Sequence, residues 1–499
     1  MFGLAQICPS PQSFSSARWR RSLLTGTGAR LIGWSWRWRE AHAIASSREA
    51  PRRAFKQGMI EQATNKARSP SLRIGRIPLW MAALAIAIAY IAIITGDGYI
   101  LHIPIKLYLV AATIGIWWLQ IGRSRSLGDY ELALPILVFA VAIPVVWSAI
   151  ALLHEAGTDP VGIHRVTWTL QEDSRFVYML LYFPLIDARR LFGRWGIDIW
   201  LIPVLALCGI TIAIFLSHYI AGEPNSSIEY LVFKGVFEGN PGGFRVFIGN
   251  QVLFIAGVAL LLAELAVRGV TRFRVGALSL LIFSTYLSHT RGIWLGLSVV
   301  CAGALLVLLL RQAGERDRRL LIGVAAAIAG LVSIAAVAML ARVIPLPSFL
   351  GDASAGSRVD QAPKLWDAFK GNPVFGDGFG AVIRPRYIRD TAAPWSYELT
   401  YLQILFQGGV LGLIAILALP LAAIWRGLRE SVAGELRSGP LAGTLAIVGI
   451  LLASATNPYL LSSFGMLGIA IGLSLIGFTE SPSTAAIEPQ GRGAALSAN

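Results

Sequence analysis

The sequence contains few charged residues for its length. Only 14% of the 499 residues are charged and 55% are hydrophobic, whereas roughly 25% of residues are charged in ordinary soluble proteins. This shortage of charge excludes a soluble globular fold. The hydrophobic residues fall into runs of about 17 to 25 residues, the length that a helix needs to cross ~30 Å of hydrocarbon. We therefore predict an all-α integral membrane protein.

Cysteine is also scarce. Cys8 lies in a basic N-terminal segment, and Cys208 and Cys301 lie in two separate hydrophobic runs, with no metal-ligand spacing among them. This pattern excludes a disulfide framework and a zinc site. We expect the cysteines to be small apolar packing residues, and we predict no cofactor or metal ion.

The positive charge of the chain is concentrated near its N-terminus. Residues 1–77 hold 14 Lys and Arg against three Glu, whereas 29 basic and 25 acidic residues nearly cancel in the remainder. No zinc-finger spacing, helix-turn-helix pattern or RNA-binding signature accompanies this segment, so we predict no nucleic-acid partner. We expect a disordered cytoplasmic tail that meets anionic lipids or sets the topology. Because Met59 opens a more ordinary leader, residues 1–58 are expected to be an upstream extension or a dispensable tail.

Twelve hydrophobic segments predict about 12 transmembrane helices. Spans 1–9 fall within 78–342 and spans 10–12 within 398–478, and residues 479–499 are expected to form a second disordered cytoplasmic tail. The fourth and seventh segments are short, which indicates helices that are tilted, broken or wrongly bounded. The predicted spans are 78–96, 103–121, 133–153, 176–188, 199–219, 248–267, 275–288, 293–310, 320–342, 399–424, 441–457 and 461–478.

The arginines of the connecting loops predict the orientation of these spans. Under the positive-inside rule, cytoplasmic loops collect Lys and Arg. Alternate loops hold fifteen arginines: Arg123, Arg125, Arg189, Arg190, Arg194, Arg268, Arg272, Arg274, Arg311, Arg316, Arg318, Arg319, Arg426, Arg429 and Arg437. The opposite short loops hold five basic residues: Arg165, Arg175, Lys234, Arg245 and Arg291. We therefore predict an even number of spans with both termini in the cytoplasm.

One outer connection, residues 343–397, is too long for a hairpin and is predicted to form a small helical cap between spans 9 and 10. It holds six basic residues, five Asp and eight aromatic residues. Aromatic rings beside charged groups suit sugars, whose CH faces pack on rings while their hydroxyls find polar partners. The aromatic residues could equally form the core of the cap or a belt at the membrane interface.

Two arginines at the predicted outer face are candidates for binding an anion. Arg245 lies shortly before the sixth span, and Arg291 lies on a short turn beside His289. Guanidinium groups bind phosphate oxygens bidentately and keep their charge, so two of them could hold a lipid diphosphate. The alternative is that they snorkel from helix ends or pair with carboxylates.

Glu398 lies where the chain leaves the predicted cap and begins the tenth span. Desolvation favours the protonated form of a carboxyl group and suits a general base, although a nearby arginine would oppose that effect. The alternative role is an acidic residue that stabilises a helix N-terminus.

Three segments together carry a family resemblance. The segment SRVDQAPKLWDAFKGNPVFGDGFGAV resembles the signature of the bacterial O-antigen ligase and O-antigen polymerase family. SHTRGIWLG looks like the family's Arg-Gly at the start of a span, and TYLQILFQGGVLGL looks like its Tyr-Leu-Gln helix. The resemblance covers roughly residues 230–425, and the matching positions are Arg291, Arg358, Trp366, Asn372, Pro373, Gly376, Gly378, Phe379, Gly380, Tyr401 and Gln403.

The resemblance implies a metal-independent glycosyltransferase of the bacterial inner membrane. Such an enzyme moves a glycan from undecaprenyl diphosphate to a glycan or lipid-linked acceptor on the periplasmic face. Arg291 and, less closely, Arg245 match arginines that would neutralise the diphosphate. The resemblance and the outer position of His289 imply that His289, Arg358, Trp366, Tyr401 and Gln403 bind substrate.

The sequence departs from the family at the expected base. The family commonly has His-Asn before its Tyr-Leu-Gln, whereas this chain has Glu398-Leu399. We predict that Glu398 takes the role of the base. His289 could instead supply an imidazole, or the reaction could proceed with little base assistance.

Several functional alternatives stay open. A ligase would place the glycan on lipid A core sugars, whereas a polymerase would add it to another lipid-linked unit. The missing His slightly favours an exopolysaccharide polymerase. A transporter or flippase of the same pathway should show internal repeats and charged residues at mid-membrane, which are not evident. A scaffold for envelope assembly is a third alternative.

Overall fold

A computed structural model describes residues 78–94, 99–100, 103–155, 162–192, 198–221, 237–240, 243–246, 248–288, 290–312, 353–383, 395–433 and 437–477. All of them belong to one unit, Ile77–Asn499. The predictions for residues 1–77, for a span at 320–342 and for residues 479–499 lie outside the described residues.

The first half of the described chain is a series of helices. These are α1 (Leu79–Ile93), α2 (Ile105–Gln120), α3 (Ala133–Leu137), α4 (Ile143–Glu155), α5 (Gly162–Asp173), α6 (Tyr182–Phe192) and α7 (Leu201–Ala221). A π-helical turn, Val138–Ala142, joins α3 to α4. A 3-10 helix, Ser174–Leu181, joins α5 to α6, so the predicted fourth span is broken rather than continuous.

The second half continues in the same way. Its helices are α8 (Leu253–Arg268), α9 (Arg272–Ser288), α10 (Arg291–Gln312), α11 (Ala353–Gly371), α12 (Thr400–Ala433), α13 (Ser438–Ala453) and α14 (Ser463–Ile476). In the described part of the predicted cap, α11 is followed by a loop of residues 372–383. Two antiparallel hairpins are also present: β1 (Tyr99–Ile100) with β2 (Ile103–Pro104), and β3 (Phe237–Asn240) with β4 (Gly243–Val246).

Local chemistry explains several helix ends. Proline precedes α1 at Pro78 and α2 at Pro104, where the missing N–H costs no helical hydrogen bond. Helix α8 ends at Gly269, whose φ of 80° suits glycine. The Ser462 hydroxyl accepts a hydrogen bond from the N–H of Gly465 at 3.1 Å and caps α14.

Among the described residues, four helices are long and apolar enough to cross a membrane: Ala133–His154, Gly249–Arg268, Arg291–Leu310 and Thr400–Val432. Five shorter apolar helices accompany them, at Leu79–Ile93, Ile105–Gln120, Leu201–Ser217, Ser438–Ala453 and Ser463–Ile476. The mainly helical membrane-protein class is therefore confirmed, and the count of 12 spans stays a prediction.

Helices α8, α13 and α14 form the centre of the bundle. Almost every residue of α13 and α14 is buried, as are all residues from Leu253 to Leu261 of α8. Helices that are apolar on all sides must lie inside a bundle. Small residues bring their partners close, because a Cβ on Gly296 of α10 would lie only 2.6 Å from the carbonyl oxygen of Gly449 in α13.

Ion pairs join several helices at one end of this bundle. Glu264 near the end of α8 lies 3.3 Å from Arg268 and 3.3 Å from Arg274 of α9, and it accepts a hydrogen bond from Ser438 of α13 at 2.8 Å. A Cβ on Gly439 would lie 3.3 Å from the Arg189 guanidinium, which places α6 at the same end. We call this the arginine-rich end. Its assignment to the cytoplasm is the prediction of the positive-inside rule.

A second buried carboxylate lies at the arginine-rich end. Asp187 of α6 accepts hydrogen bonds from Trp117 Nε1 at 2.9 Å and from the Tyr130 hydroxyl at 2.7 Å, and it pairs with Arg190 at 3.1 Å. These partners come from α2, from the turn before α3 and from α6. The carboxylate therefore joins three segments of the chain.

Candidate functional site

Helix α12 is broken at Gly409, whose φ of 64° lies in the left-handed region. The loop of residues 372–380, which we call the glycine loop, fills the break. Four main-chain hydrogen bonds connect them: Val410 N to Pro373 O (2.9 Å), Leu411 N to Val374 O (3.1 Å), Asp377 N to Phe406 O (3.0 Å) and Gly378 N to Gln407 O (2.8 Å). Main-chain groups that the break frees are thus paired within the protein, as burial in a membrane bundle requires.

Three glycines give the glycine loop its shape. Gly376, Gly378 and Gly380 have φ angles of 71°, 92° and 82°. A Cβ on Gly376 would lie 2.5 Å from a carbonyl oxygen of α12, one on Gly378 would overlap the main chain of Ala151, and one on Gly380 would lie 2.8 Å from the nitrogen of Thr169. Only glycine combines these φ angles with such close approach. The spacing of the motif therefore reflects how the loop packs between α4, α5 and α12.

The aromatic residue of the same motif anchors the loop. Phe379 is fully buried, and its ring lies 5.6 Å from that of Phe176 and 6.1 Å from that of Trp147. Trp147 Nε1 donates to the carbonyl of Gly408 at 3.0 Å, beside the helix break, and the Thr169 hydroxyl donates to the carbonyl of Phe379 at 2.8 Å.

A buried carboxylate joins the glycine loop to α12. Glu172, at the end of α5, accepts a hydrogen bond from the N–H of Gly380 at 3.2 Å and one from Gln403 Nε2 at 2.8 Å. The Arg175 guanidinium lies 3.9 Å from the same carboxylate and donates to the carbonyl of Leu461 at 2.6 Å. The Glu172 carboxylate thus connects the end of α5 to the glycine loop and to α12, and Arg175 extends the contact to the carbonyl of Leu461.

Two glutamine side chains of α12 extend this network. Gln403 Oε1 accepts a hydrogen bond from the N–H of Tyr397 at 3.1 Å, while its Nε2 also donates to Gln407 Oε1 at 3.1 Å. Gln407 Nε2 donates in turn to the carbonyls of Ala381 and Trp395, at 3.1 and 3.3 Å. The amides hold the chain that leads into α12.

Glu398 forms an ion pair with Arg358 of α11. The Arg358 Nε and Glu398 Oε2 atoms are 2.6 Å apart, and 22% of the arginine side chain is exposed, so the pair borders on solvent. Gln361, one turn further along α11, accepts hydrogen bonds from the N–H groups of Glu398 and Leu399, at 2.9 and 3.2 Å. The structure thus brings together Arg358 and Glu398, both of which the sequence predicted.

Arg291 is exposed and is the first residue of α10. A Cβ on the next residue, Gly292, would overlap the side chain of Asn457 in the turn of residues 454–462. The carbonyl of Asn457 accepts a hydrogen bond from the Thr400 hydroxyl at 2.8 Å. The turn therefore links the start of α10 to the start of α12, two residues after Glu398. We call this region, from Glu172 and Arg175 to Arg291, Arg358 and Glu398, the site end.

Of the four other predicted site residues, the structure describes three, in less detail. Arg245 lies in β4 with its main chain opposite Glu238, and its side chain and His289 lie outside the described residues. The exposed ring of Trp366 lies 5.2 Å from that of Phe369 on α11. The Tyr401 hydroxyl donates to the carbonyl of Leu451 at 2.6 Å and thereby joins α12 to α13.

Two neighbouring carboxyl groups at the end of α5, those of Glu172 and Asp173, have raised pKa values. Both lie outside the candidate membrane spans. Burial raises the pKa of Glu172 to about 7, and the Arg175 guanidinium opposes this shift. Burial likewise raises the pKa of Asp173 to about 7, against the hydrogen bond from the Ser148 hydroxyl. Both groups therefore change protonation near neutral pH.

The sequence predictions missed Glu172 and the turn of residues 454–462 as parts of this region, and treated Arg175 only as an outer-loop charge. The available signal was the run Gln-Glu-Asp-Ser-Arg at 171–175, directly before a short apolar segment. Ionisable groups at the end of a membrane segment require partners. Among the residues that the structure describes, no group of three or more His, Cys, Asp or Glu is arranged to hold a metal ion.

Comparison with known families identifies the central part of the chain. A family model described as O-Antigen ligase matches residues 276–417, which confirms the resemblance to that family. The matched range includes Arg291, Arg358, the glycine loop and Glu398, whereas Arg245 and Glu172 precede it. No curated protein matches the chain.

Proposed function

We propose that this O-antigen ligase-like membrane enzyme transfers a glycan from undecaprenyl diphosphate to a hydroxyl group of a glycan acceptor. The observation that carries the proposal is the arrangement at the site end. The ion pair of Arg358 with Glu398 borders on solvent, and one turn links Glu398 to the helix that begins at Arg291. The Glu398 carboxylate, its half-buried partner Arg358 and the exposed Arg291 thus all belong to the segment that matches the family.

The proposed reaction is a direct displacement at the anomeric carbon of the donor. The acceptor oxygen forms a bond to that carbon while the bond from carbon to the phosphate oxygen breaks, so the configuration inverts. The proton of the acceptor hydroxyl passes to the Glu398 carboxylate, which acts as general base. The leaving group is the lipid diphosphate, which carries away the bonding electron pair.

Arg291 is proposed to stabilise this leaving group. A guanidinium group binds phosphate oxygens with two parallel hydrogen bonds. Its position at the start of α10 adds the favourable field of a helix N-terminus for an anion. Arg245 is proposed as the second cation of the clamp, Arg358 orients Glu398, and the exposed ring of Trp366 and the imidazole of His289 are proposed to contact the glycan.

Transfer in proteoliposomes tests this proposal. Purified enzyme, a lipid-diphosphate-linked glycan and an acceptor should yield the elongated glycan and free undecaprenyl diphosphate. Glu398→Gln should lower kcat by about a hundredfold or more, the usual contribution of a general base. Glu430→Gln is the matched control, because Glu430 forms only an i,i+4 pair with Arg426 at the arginine-rich end. A Glu398→Gln enzyme with full turnover would eliminate Glu398 as the base.

The donor clamp is tested separately. Arg291→Ala should weaken kcat/KM for the donor by about tenfold to a hundredfold, since a hydrogen bond to a charged group contributes about 1.5–3 kcal/mol. The exposed Arg429→Ala serves as the control. Unchanged kcat/KM would remove Arg291 from the clamp, and a transporter or scaffold would release no undecaprenyl diphosphate with any variant.

The choice of acceptor distinguishes the two proposed reactions. We propose polymerisation, because the chain lacks the His that the family commonly has before its Tyr-Leu-Gln. Supplying only the lipid-linked unit should then give long chains. Transfer only to lipid A core sugars would make the enzyme a ligase.

A further inference from the structure

Glu172 lies outside the matched family segment, yet it is fully buried beside the glycine loop. We propose that Glu172 is a positioning residue that sets the direction of a buried hydrogen-bond network and thereby holds Glu398 in place. This inference rests on the proposed function, in which Glu398 is the base.

The first arm of the network runs through Gln403. Both oxygens of the Glu172 carboxylate accept hydrogen bonds, one from Gly380 N–H and one from Gln403 Nε2. Because an ionised carboxylate can only accept, it requires the NH₂ group of Gln403 to face it. The Gln403 oxygen is thereby turned towards the N–H of Tyr397, 3.1 Å away. Tyr397 directly precedes Glu398 in the chain.

The second arm runs through the glycine loop and ends on the same residue. Glu172 holds Gly380, and three residues further the N–H of Ile383 donates to the hydroxyl of Tyr397 at 2.9 Å. Tyr397 is thus held through both its main chain and its side chain by segments that Glu172 contacts. An acceptor at position 172 satisfies donors on both arms at once.

Replacing the carboxylate at position 172 by an amide would put a donor where the network requires an acceptor. An amide there would present an NH₂ group to either Gly380 N–H or Gln403 Nε2, both of which are donors. If Gln403 turned its amide over to compensate, its own NH₂ group would face the N–H of Tyr397. A buried donor without an acceptor is unfavourable, so the chain at Tyr397 and Glu398 should shift.

A double-mutant cycle tests this role. Glu172→Gln, Glu398→Gln and the double variant are compared with the unaltered enzyme in the proteoliposome assay. Glu172→Gln should lower kcat by about tenfold to a hundredfold, the effect of displacing a catalytic group by roughly 1 Å. Donor KM should change little, because Arg291 is untouched. In the Glu398→Gln background the Glu172 substitution should have no further effect.

Two further variants separate positioning from folding. Glu172→Asp keeps the charge and should recover part of the lost kcat, and it replaces Glu172→Gln in the cycle if that variant does not fold. Asp173→Asn is the matched control, because the neighbouring Asp173 bonds to Ser148 rather than to the segment of Glu398. It should leave kcat within about twofold, as expected when no contact of the site is changed.

The outcomes distinguish this inference from the proposed function. Equal fold losses from the Glu172 substitution in both backgrounds would show a structural role independent of Glu398 and would overturn the inference. A Glu172→Asp enzyme that shows no recovery would also overturn it. Full turnover by Glu398→Gln would instead refute the proposed base.

Discussion

Two glutamates at opposite ends of the bundle, Glu264 and Glu398, are held in different ways. At the arginine-rich end, Glu264 lies between Arg268 and Arg274 and accepts from Ser438, so its side chain joins α8, α9 and α13. At the site end, main-chain hydrogen bonds to Gln361 and Gln403 hold the chain at residues 397–399. Both glutamates are nearly buried, with 8% of each side chain exposed.

Burial alone does not separate these two glutamates, but their partners do. Glu264 is a cross-link between helices, so its charge contributes to the stability of the bundle. The chain at residues 397–399 is held through its main-chain N–H groups, and the Glu398 carboxylate pairs with Arg358 where that pair borders on solvent. The difference predicts that removing the Glu264 carboxylate lowers the free energy of unfolding, whereas removing the Glu398 carboxylate lowers turnover.

The largest expected effect comes from a substitution in the glycine loop, because the whole site end depends on the shape of this loop. Gly378→Ala should destabilise the protein by about 3–5 kcal/mol, because strain at positive φ and overpacking against Ala151 each cost about 1–3 kcal/mol. Thermal unfolding in detergent and transfer activity should both decline. Gly371→Ala is the control, because a Cβ there meets nothing within 4 Å. Equal stability of the two variants would show that the loop can rearrange.

A smaller effect is expected at the arginine-rich end. Glu264→Gln should lower the free energy of unfolding by about 2 kcal/mol, since it leaves two arginines without their carboxylate. The value is below that of a fully buried pair because 34% of the Arg268 side chain and 16% of the Arg274 side chain are exposed. Turnover per folded molecule should not change. Glu430→Gln, which breaks a more exposed pair, should cost less than about 1 kcal/mol. A loss of turnover from Glu264→Gln would break the comparison between the ends.

The sequence predicted the elements of the fold better than their interruptions. Apolar runs revealed the membrane helices, because twenty consecutive apolar residues have few other uses. The short fourth segment predicted a tilted, broken or wrongly bounded helix, but the apolar runs did not show that Ser174–Leu181 is a 3-10 helix or that α12 breaks at Gly409. The break of α12 depends on partners in the glycine loop, 29 to 37 residues earlier in the chain, and no local pattern encodes such a contact.

The sequence likewise predicted one part of the candidate site. Arg291 stood out as a charged residue at a span end, Glu398 as the acid that begins the tenth span and Arg358 through its place in the family motif. The structure pairs Arg358 with Glu398. Gln403 was assigned to substrate, whereas its amide here bonds to Glu172, Tyr397 and Gln407. The sequence alone does not tell whether a glutamine binds substrate or belongs to a buried hydrogen-bond network, because both roles use the same amide group.

The smallest expected effect is a dependence on pH that should act in opposite directions on stability and on turnover. Burial raises the pKa of Glu172 from 4.5 to about 7 and that of Asp173 from 3.8 to about 7. Between the pKa values of the unfolded and folded states, the folded protein binds more protons than the unfolded chain. The free energy of unfolding should therefore rise as pH falls from 7 towards 4.5. The added stability is present below pH 4.5 and is lost as pH rises through 7.

Turnover should fall over the same range, because a proton on Glu172 removes an acceptor from Gly380 or Gln403 and loosens the chain at Glu398. Thermal midpoints and kcat measured from pH 5 to pH 8 check both trends. Asp173→Asn should weaken the stability trend and move the kcat trend to lower pH without removing it, since the Asp173 charge helps to raise the pKa of Glu172 but Asp173 makes no bond to that chain segment. Glu172→Gln should remove the part of the kcat trend centred near pH 7. If stability and kcat rose together on acidification, the ionised form of Glu172 would not be the one that holds Glu398.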